Sequence, residues 1–519
     1  MKKAFRILFV ALLIALMLVS VVACGGSSEN NGTENGGTSN STSTSDANGN
    51  STAKATAAPS NGDSSTVGGN FTKSGEVYSF YSWQYSSDNP YSGDDERSQQ
   101  MRERVERIES DYGISIQFVT GSQTTAMLQS AYQGSPEITG MKEGGLHTMM
   151  DTYLYNNLTG KCLTPLSDHS DVYNFKDENK FNVESQYDLC EYNSKLWFFI
   201  PVEIGVHFEC GGNCLVFNKK LLEAAGYPAD TIYGWVKDGT WTWDKFEQCL
   251  QATTDATKGQ WGIERGNEAL VMWSLANSND TEFVRLEVQA NGQKQDKFVY
   301  SGEQGEKLME AYDEFIKLAK NNWMETTWYG ATDTKPLEHF KNGSVAFFYN
   351  GYSSNPLKDI STMDEDYGLV PWPKGPSNVK GVNEYKSFYP HLNPYCVFRD
   401  TDGNVKGAVQ ILCELYTPIY DANSEDAQAL YETEKKQFTR DADSQANLDI
   451  VENAKVHFRV FMYSKAPCSV GTSTTLSGAL FGKGEDAILA QTQNASTYFK
   501  GISQALNVGI SQRSPYSWK

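Results

Sequence analysis

The chain has 519 residues, with 64 acidic against 44 basic side chains, a formal charge of −20 and an isoelectric point near 4.8. Such a balance excludes the clustered Lys and Arg face that neutralises nucleic-acid phosphates, so no nucleic-acid partner is expected. The length suits about two to four ordinary domains, or one two-lobed body of roughly 400 residues with extensions.

Lys2, Lys3 and Arg6 precede an apolar run from Ile7 to Val22, about the length of a secretory signal core. The run ends Val21-Val22-Ala23-Cys24-Gly25, which resembles a bacterial lipobox. Residues 1–23 are therefore expected to be a lipoprotein signal peptide, with Cys24 carrying the lipid that anchors the chain to the outer face of the cell membrane. Residues 24–72 are almost entirely Ser, Asn, Gly, Thr and Ala. They have too little apolar surface to offset chain entropy and read as a disordered tether reaching about 35–40 Å.

The body opens with an alternating strand from Glu76 to Trp83, which places Trp83 and Tyr85 at its carboxyl end. Val105, Ile108 and Tyr112 share a helix face that stops at Gly113, and Ile114, Ile116 and Phe118 alternate as a second strand. Strand, helix, strand opens an α/β lobe with a parallel sheet, in which ligands sit beyond the carboxyl ends of strands. Leu196 to Val202 predicts a strand ending at Pro201, and Cys214 to Tyr227 predicts a strand and a short helix stopped by Gly226. Thr242 is expected to cap a helix that has Asp244 in its first turn. Trp261 to Ile263 and Leu270 to Leu275 belong to a second lobe, with Trp273 a candidate platform. The polar stretch from Asn277 to Tyr300 reads as a hairpin. Ser301 to Gln304 reads as a capping box before a helix with Leu308, Tyr312, Phe315, Ile316 and Ala319 on its core stripe.

The stretch His339 to Pro376 is the most telling. Ser344 to Tyr349 reads as a buried strand between Gly343 and Gly351, delivering Tyr352 to its mouth. Tyr367 to Val370 then gives a strand followed by Pro371, Pro373 and Pro376, a stiff connector around Trp372. Ser387 to Phe398, containing Tyr389, reads as a proline-bearing strand returning to the first lobe. Asn404 to Tyr416 reads as helical, and Asp421 to Asn447 as a charged, exposed segment. A last helix has Ile488, Ala495, Phe499, Ile502 and Leu506 on one face.

Several of these segments resemble the family 1 extracellular solute-binding proteins, the carbohydrate-binding subunits of ABC importers. The matching pieces, in family order, are Trp197 to Pro201, Val216-Phe-Asn-Lys-Lys-Leu-Leu-Glu-Ala-Ala-Gly226, Thr242-Trp-Asp-Lys-Phe246, the Gly351-Tyr352 turn, Tyr367-Gly-Leu-Val-Pro-Trp-Pro-Lys-Gly-Pro376 and Leu480-Phe-Gly-Lys483. Two positions depart from the usual pattern: Tyr352 stands where the family has Trp, and Gly134-Ser-Pro-Glu137 ends in Glu rather than Asp. The resemblance implies an α/β, two-lobed periplasmic-binding-protein-like fold of type II with about three crossover segments. One lobe is expected from residues 73–200 plus about 385–450, the other from 201–384 plus about 451–519, with the first crossing near Pro201 to Cys210.

Competing chemistry is weakly encoded. Gly478 to Gly484 has the wrong spacing for a phosphate loop and lacks the Ser or Thr that holds magnesium. Asp364 to Asp366 and Asp400 to Gly403 do not complete calcium loops. Cys210 and Cys214 lack a second ligand pair at zinc spacing. No metal, cofactor or catalytic residue is expected. With Cys24 set aside, eight cysteines remain. Sequence alone does not choose among their pairings, though Cys249 and Cys413 fall in helix interiors, where buried free thiols are common.

The expectation is a monomeric, lipid-anchored binding protein that holds a small solute, an oligosaccharide by the family resemblance, for ABC permease transmembrane subunits. Its candidate ligand contacts are Trp83, Tyr85, Glu203, His207, Trp273, Tyr352, Trp372 and Tyr389. Flat rings would carry the apolar C–H faces of a sugar, while carboxylates and amides bond its hydroxyls. The rival is a surface-anchored glycosidase, which needs only two carboxylates at a set separation.

Overall fold

The computed structural model describes residues 70–514 except 72–74, 83–88, 92, 94–95, 121–145, 149–162, 193, 203–211, 266–267, 326, 328–333, 351–353, 382–383, 390–393, 398–403, 419–422, 458, 464–466, 471–472 and 481–493. Cys24, the signal peptide and most of the tether thus lie outside the described residues, as do Cys162, Cys210 and the Gly134 to Glu137 motif.

Two four-stranded sheets organise two α/β bodies. The first begins with β1 (Val77–Ser82), α1 (Glu96–Tyr112), β2 (Ser115–Thr120) and β3 (Leu146–Thr148), and β1 pairs in parallel with both β2 and β3. Val105 and Ile108, the expected inward face of α1, are buried with Tyr78 and Phe80 of β1. The predicted strand over 196–202 is mostly irregular. After α2 (Val183–Leu189), β4 (Glu191–Tyr192) and β5 (Lys195–Leu196) form a two-residue ladder, and beyond it only single bridges hold Phe199 to Tyr395 and Pro201 to Phe181. The side chain of Gln186 explains part of this, because its Oε1 accepts from Ile200 N at 3.2 Å in place of a neighbouring strand.

The second body runs β6 (Cys214–Asn218), α3 (Lys219–Ala224), α4 (Ala229–Lys237), α5 (Trp243–Thr253), β7 (Trp261–Ile263) and α6 (Glu268–Ser278). It continues with the hairpin β8 (Val284–Val288) and β9 (Lys294–Phe298), then α7 (Gly302–Lys320), α8 (Lys335–Lys341), β10 (Val345–Asn350), α9 (Ser354–Ser361) and β11 (Tyr367–Pro371). Asn218 caps α3 by accepting from Leu221 N at 3.0 Å, and Gly226 turns the chain at φ +90°, a left-handed value that only glycine adopts without strain. Thr242 and Ser301 occupy the expected N-cap positions, but their side chains make no capping bond. The start of α5 is instead held by the main chain, Trp243 N donating to Lys374 O at 3.1 Å. The sheet order is β11-β6-β10-β7, with β10 parallel to β7 and antiparallel to β6, and β6 antiparallel to β11. It is therefore mixed. The alternation of buried residues carries no strand direction, so the sequence could not distinguish the two senses.

The chain then crosses as β12 (Ser387–Tyr389) to β13 (Tyr395–Val397), which completes the first sheet antiparallel to β3. Asn404 caps α10 (Val405–Tyr416), whose inner face is buried on the first body. Beyond Thr417 the chain returns through α11 (Glu425–Lys436) and α12 (Ala442–Asn453). Here the expectation of an exposed charged segment is corrected. Within it Ala427, Lys435, Phe438, Ser444 and Asn447 are buried, Phe438 in a cluster with Tyr367 and Leu369 of β11 that Leu448 and Val451 just beyond the segment also join, and Asn447 Nδ2 donates to Leu369 O at 2.9 Å. Burying Phe438, Leu448 and Val451 is worth about 1.5–3 kcal/mol each, enough to seat a helix whose outer face carries the charges. Asp441 caps α12 by accepting from Ser444 N and also binds Lys219 at 2.8 Å and the Tyr233 hydroxyl at 2.9 Å.

The last segment contains β14 (Lys455–His457), a 3-10 turn (Arg459–Tyr463), the hairpin β15 (Pro467–Val470) and β16 (Ser473–Thr475), α13 (Leu476–Leu480) and α14 (Ala495–Arg513). β14 pairs in parallel with β12, so a strand of the last segment lies beside the crossing strand. Ala495, Phe499 and Leu506 of α14 are buried and Ile502 is half-buried beside them, while Ile488 of the expected face lies outside the described residues. Cys190, Cys249, Cys413 and Cys468 are buried free thiols, Cys249 and Cys413 in helix interiors. No described helix is long and apolar enough to cross a membrane.

Candidate functional site

Strand direction decides where a ligand can be met. In the first sheet the parallel strands β1, β2 and β3 end at Ser82, Thr120 and Thr148, and antiparallel β13 begins opposite Thr148 at Tyr395. In the second, β7 and β10 end at Ile263 and Asn350. Because β6 runs the other way, its first residue, Cys214, lies opposite Asn350, and Pro371 at the end of β11 lies opposite Cys214. One edge of each sheet thus collects the strand ends and the loops that leave them.

The two edges are near one another because the crossing is short. Phe388 O accepts from Asn213 N at 3.1 Å at the edge of the second sheet, and Tyr395 stands at the edge of the first. The six steps of chain from Tyr389 to Tyr395 reach at most about 22 Å when fully extended. Tyr395 in turn stacks on Phe199 at 5.2 Å and on Tyr416 at 4.2 Å, so the landing point is rigidly built into the first body.

Asn213 is the polar centre of the second edge. Only 1% exposed, it accepts from Trp372 Nε1 at 2.7 Å and donates through Nδ2 to Ser274 Oγ at 2.5 Å; its carbonyl accepts from Ser387 Oγ at 3.3 Å. One side chain and its main chain therefore join the start of β6, the end of β11, α6 and crossing strand β12. Next to it, Gly212 N donates to Glu452 Oε1 at 2.9 Å, bringing in the end of α12.

The expected ligand residues fall around this edge in different ways. Trp83, Tyr85, Glu203, His207 and Tyr352 lie outside the described residues, although the strands that lead to them, β1 and β10, end at these edges. Tyr389 is the last residue of β12, paired with His457. Trp273, on α6, is 7% exposed and meets the Phe388 ring edge-on at 6.3 Å, so it touches the crossing strand. Trp372 is wholly buried: its N–H is spent on Asn213, and its ring packs on Phe246 and Tyr349 at 5.9 and 5.8 Å.

Two carboxylates at the same edge were not among the expected residues. Glu264, the first residue past β7, is 2% exposed, and Glu325 is 3% exposed. Glu325 N donates to Ile263 O at 3.0 Å, extending the sheet beyond β7, while its carboxylate meets Arg265 N at 3.4 Å and His339 Nδ1 at 2.6 Å. Burial raises the Glu325 carboxyl above its ordinary value, and the His339 and Arg265 contacts only partly offset this. A polar residue directly after a strand was the available signal for Glu264. Glu325 gave none, because Met324 joins the sheet through a single bridge.

Among the described residues, no group of three or more His, Cys, Asp or Glu side chains is placed to hold a metal. Buried acceptors, amides and rings at two strand-end edges linked by a short crossing can bind and orient a hydroxyl-bearing molecule. A family model described as bacterial extracellular solute-binding protein matches residues 103–422. No curated protein sequence matches the chain. Solved structures similar to it include the ABC substrate-binding protein Lmo0181 of Listeria monocytogenes in complex with cycloalternan, at 12% identity and a TM-score of 0.54, covering 83% of this chain and 98% of that one. The sugar-binding protein MalE of Xanthomonas citri is similar at 13% identity and a TM-score of 0.54, covering 84% and 98%. The cyclic α-maltosyl-1,6-maltose binding protein of Arthrobacter globiformis is similar at 11% identity and a TM-score of 0.54, covering 84% and 99%. These likenesses establish the two-lobed periplasmic-binding-protein-like fold, and the family match establishes that the chain belongs to the bacterial extracellular solute-binding proteins.

Proposed function

We propose that this protein is the lipid-tethered capture subunit of an ABC importer, binding an uncharged oligosaccharide between its two bodies and presenting it to the permease without altering a bond. The observation that carries the reading is the pair of strand-end edges joined by the short β12 crossing and anchored at Asn213. A ligand that contacts both edges stabilises the closed arrangement, and the difference in contacts is the free energy that drives closure. The sugars named for the similar structures, cycloalternan and cyclic α-maltosyl-1,6-maltose, support an oligosaccharide. The net charge of −20 disfavours an anionic solute.

In this proposal the first lobe comprises residues 73–200 and the return from Tyr395 to Thr417. The second comprises the run from Gly212 to Trp372 together with the elements from α12 to α14, which pack on it. Trp83 and Tyr85 face the ligand from the first lobe, and Trp273 and Tyr352 from the second. Glu203, His207 and Tyr389 line the crossings. Glu264 and Glu325 serve as additional acceptors for hydroxyls, and Trp372 supports the floor. Cys24 carries the lipid, and the tether holds a monomeric body off the membrane.

The test is a titration of intrinsic fluorescence with maltose, maltotriose and cycloalternan, with product chromatography alongside. A saturable change with intact sugar is expected, and Tyr352→Ala weakens it without altering the unfolding midpoint. No saturable response across the panel, or release of smaller sugars, refutes the reading. Radiolabelled palmitate incorporated by the wild type and lost in Cys24→Ser tests the anchor.

A further inference from the structure

Arg459 lies in the 3-10 turn that follows β14 and is 5% exposed at its side chain. Its guanidinium reaches both bodies. Nη2 donates to the main-chain oxygen of Asp188 at 3.1 Å and to its carboxylate at 2.5 Å. Asp188 belongs to α2, which the first body holds through Asn182 N to Ile200 O and the Phe181 to Pro201 bridge. On the other side, Nη1 is 3.5 Å from Oδ1 of Asp296, a fully buried carboxylate on β9. Asp296 Oδ2 accepts from the hydroxyls of Tyr463 and Ser514, and Phe283 at the base of the hairpin meets Tyr312 of α7 edge-on at 6.1 Å, which ties the hairpin to the second body.

A planar guanidinium hydrogen-bonded to Asp188 on one side and ion-paired with Asp296 on the other resists both sliding and twisting, whereas a lysine ammonium would act as a point charge. We propose that Arg459 is the pivot of the two bodies, a positioning residue that keeps α2 and the β8–β9 hairpin in register while the strand-end edges open and close. It stands two residues beyond β14, which pairs with the crossing strand β12, where relative displacement during a hinge motion is smallest. Such a bond survives in both arrangements and restricts the swing to one path. The inference rests on the two-body closure proposed above, but its test requires no ligand.

Arg459→Ala leaves Asp296 buried without its counter-charge and could simply unfold, so the informative variant is Asp188→Ala. The Asp188 side chain is 55% exposed, and its loss leaves the Asp296 side of the pair intact. Azido side chains introduced at exposed positions 106 on α1 and 306 on α7 take spin labels, and the inter-label distance distribution is measured on the ligand-free full chain. The expected result is a distribution about half as wide again in Asp188→Ala, restored by Asp188→Glu, with an unchanged unfolding midpoint. A distribution that superimposes on the wild type overturns the pivot. Failure of every sugar to bind would refute the proposed function while leaving this measurement unaffected.

Discussion

Asn213→Ala tests the claim that the floor beside the crossing strand is held by one amide. The substitution removes the acceptor 2.7 Å from Trp372 Nε1 and the donor 2.5 Å from Ser274 Oγ, while the main-chain bond to Phe388 O survives. Trp372 is fully buried, so its N–H finds no water in exchange, and such an orphaned donor costs about 1–3 kcal/mol. Losing the Ser274 bond adds about 0.5–1.5 kcal/mol, reduced because Ser274 Oγ still donates to Leu270 O at 2.6 Å. The expected total is about 2–4 kcal/mol, measured by urea unfolding of the ligand-free protein with fluorescence detection. The cycle with Trp372→Phe, which removes the donor, isolates the bond, and a coupling of about 1–2 kcal/mol is expected. A cost below about 0.5 kcal/mol, or a coupling near zero, would refute the reasoning that this buried pair is energetically closed.

Gly368→Ala should destabilise by about 2–4 kcal/mol in the same assay, because a Cβ there would lie 2.3 Å from both Phe217 Cζ and the Tyr233 hydroxyl, two side chains themselves packed in place. A near-neutral effect would mean that β11 can shift outward. Glu314 on α7 is 8% exposed, and burial, with Glu247 beside it, pushes its carboxyl up to about 8. A carboxyl raised in the fold contributes stability that is fully present below the unfolded value of about 4.5 and is lost as pH rises through about 8. Thermal stability of the wild type should therefore decline across that window, and Glu314→Gln should flatten the decline; parallel pH profiles for the two proteins would reject the assignment.

The sequence alone determined the local elements, because their causes are local. Alternation marked β1 and β2, an apolar run between glycines marked β10, the helical stripe marked α1, α7 and α14, and Gly226 marked the end of α3. It also placed Tyr352 and Trp83 just past β10 and β1, since a strand's carboxyl end is legible from its residues. The tertiary structure decided what depends on residues distant in the chain. Trp372 looked like a ligand ring beside prolines, but Asn213, 159 positions away, takes its N–H and encloses it. The charged run from Asp421 to Asn447 looked exposed, but Phe438 within it is buried against Tyr367 of β11, whose hydroxyl donates to Phe438 O at 2.9 Å, a partner that the run's own composition cannot name. The mixed direction of the second sheet, Glu325 at its margin and the Arg459 bridge likewise arise from pairings across the chain. Periodicity reports which face of an element is apolar, whereas only packing determines what that face meets.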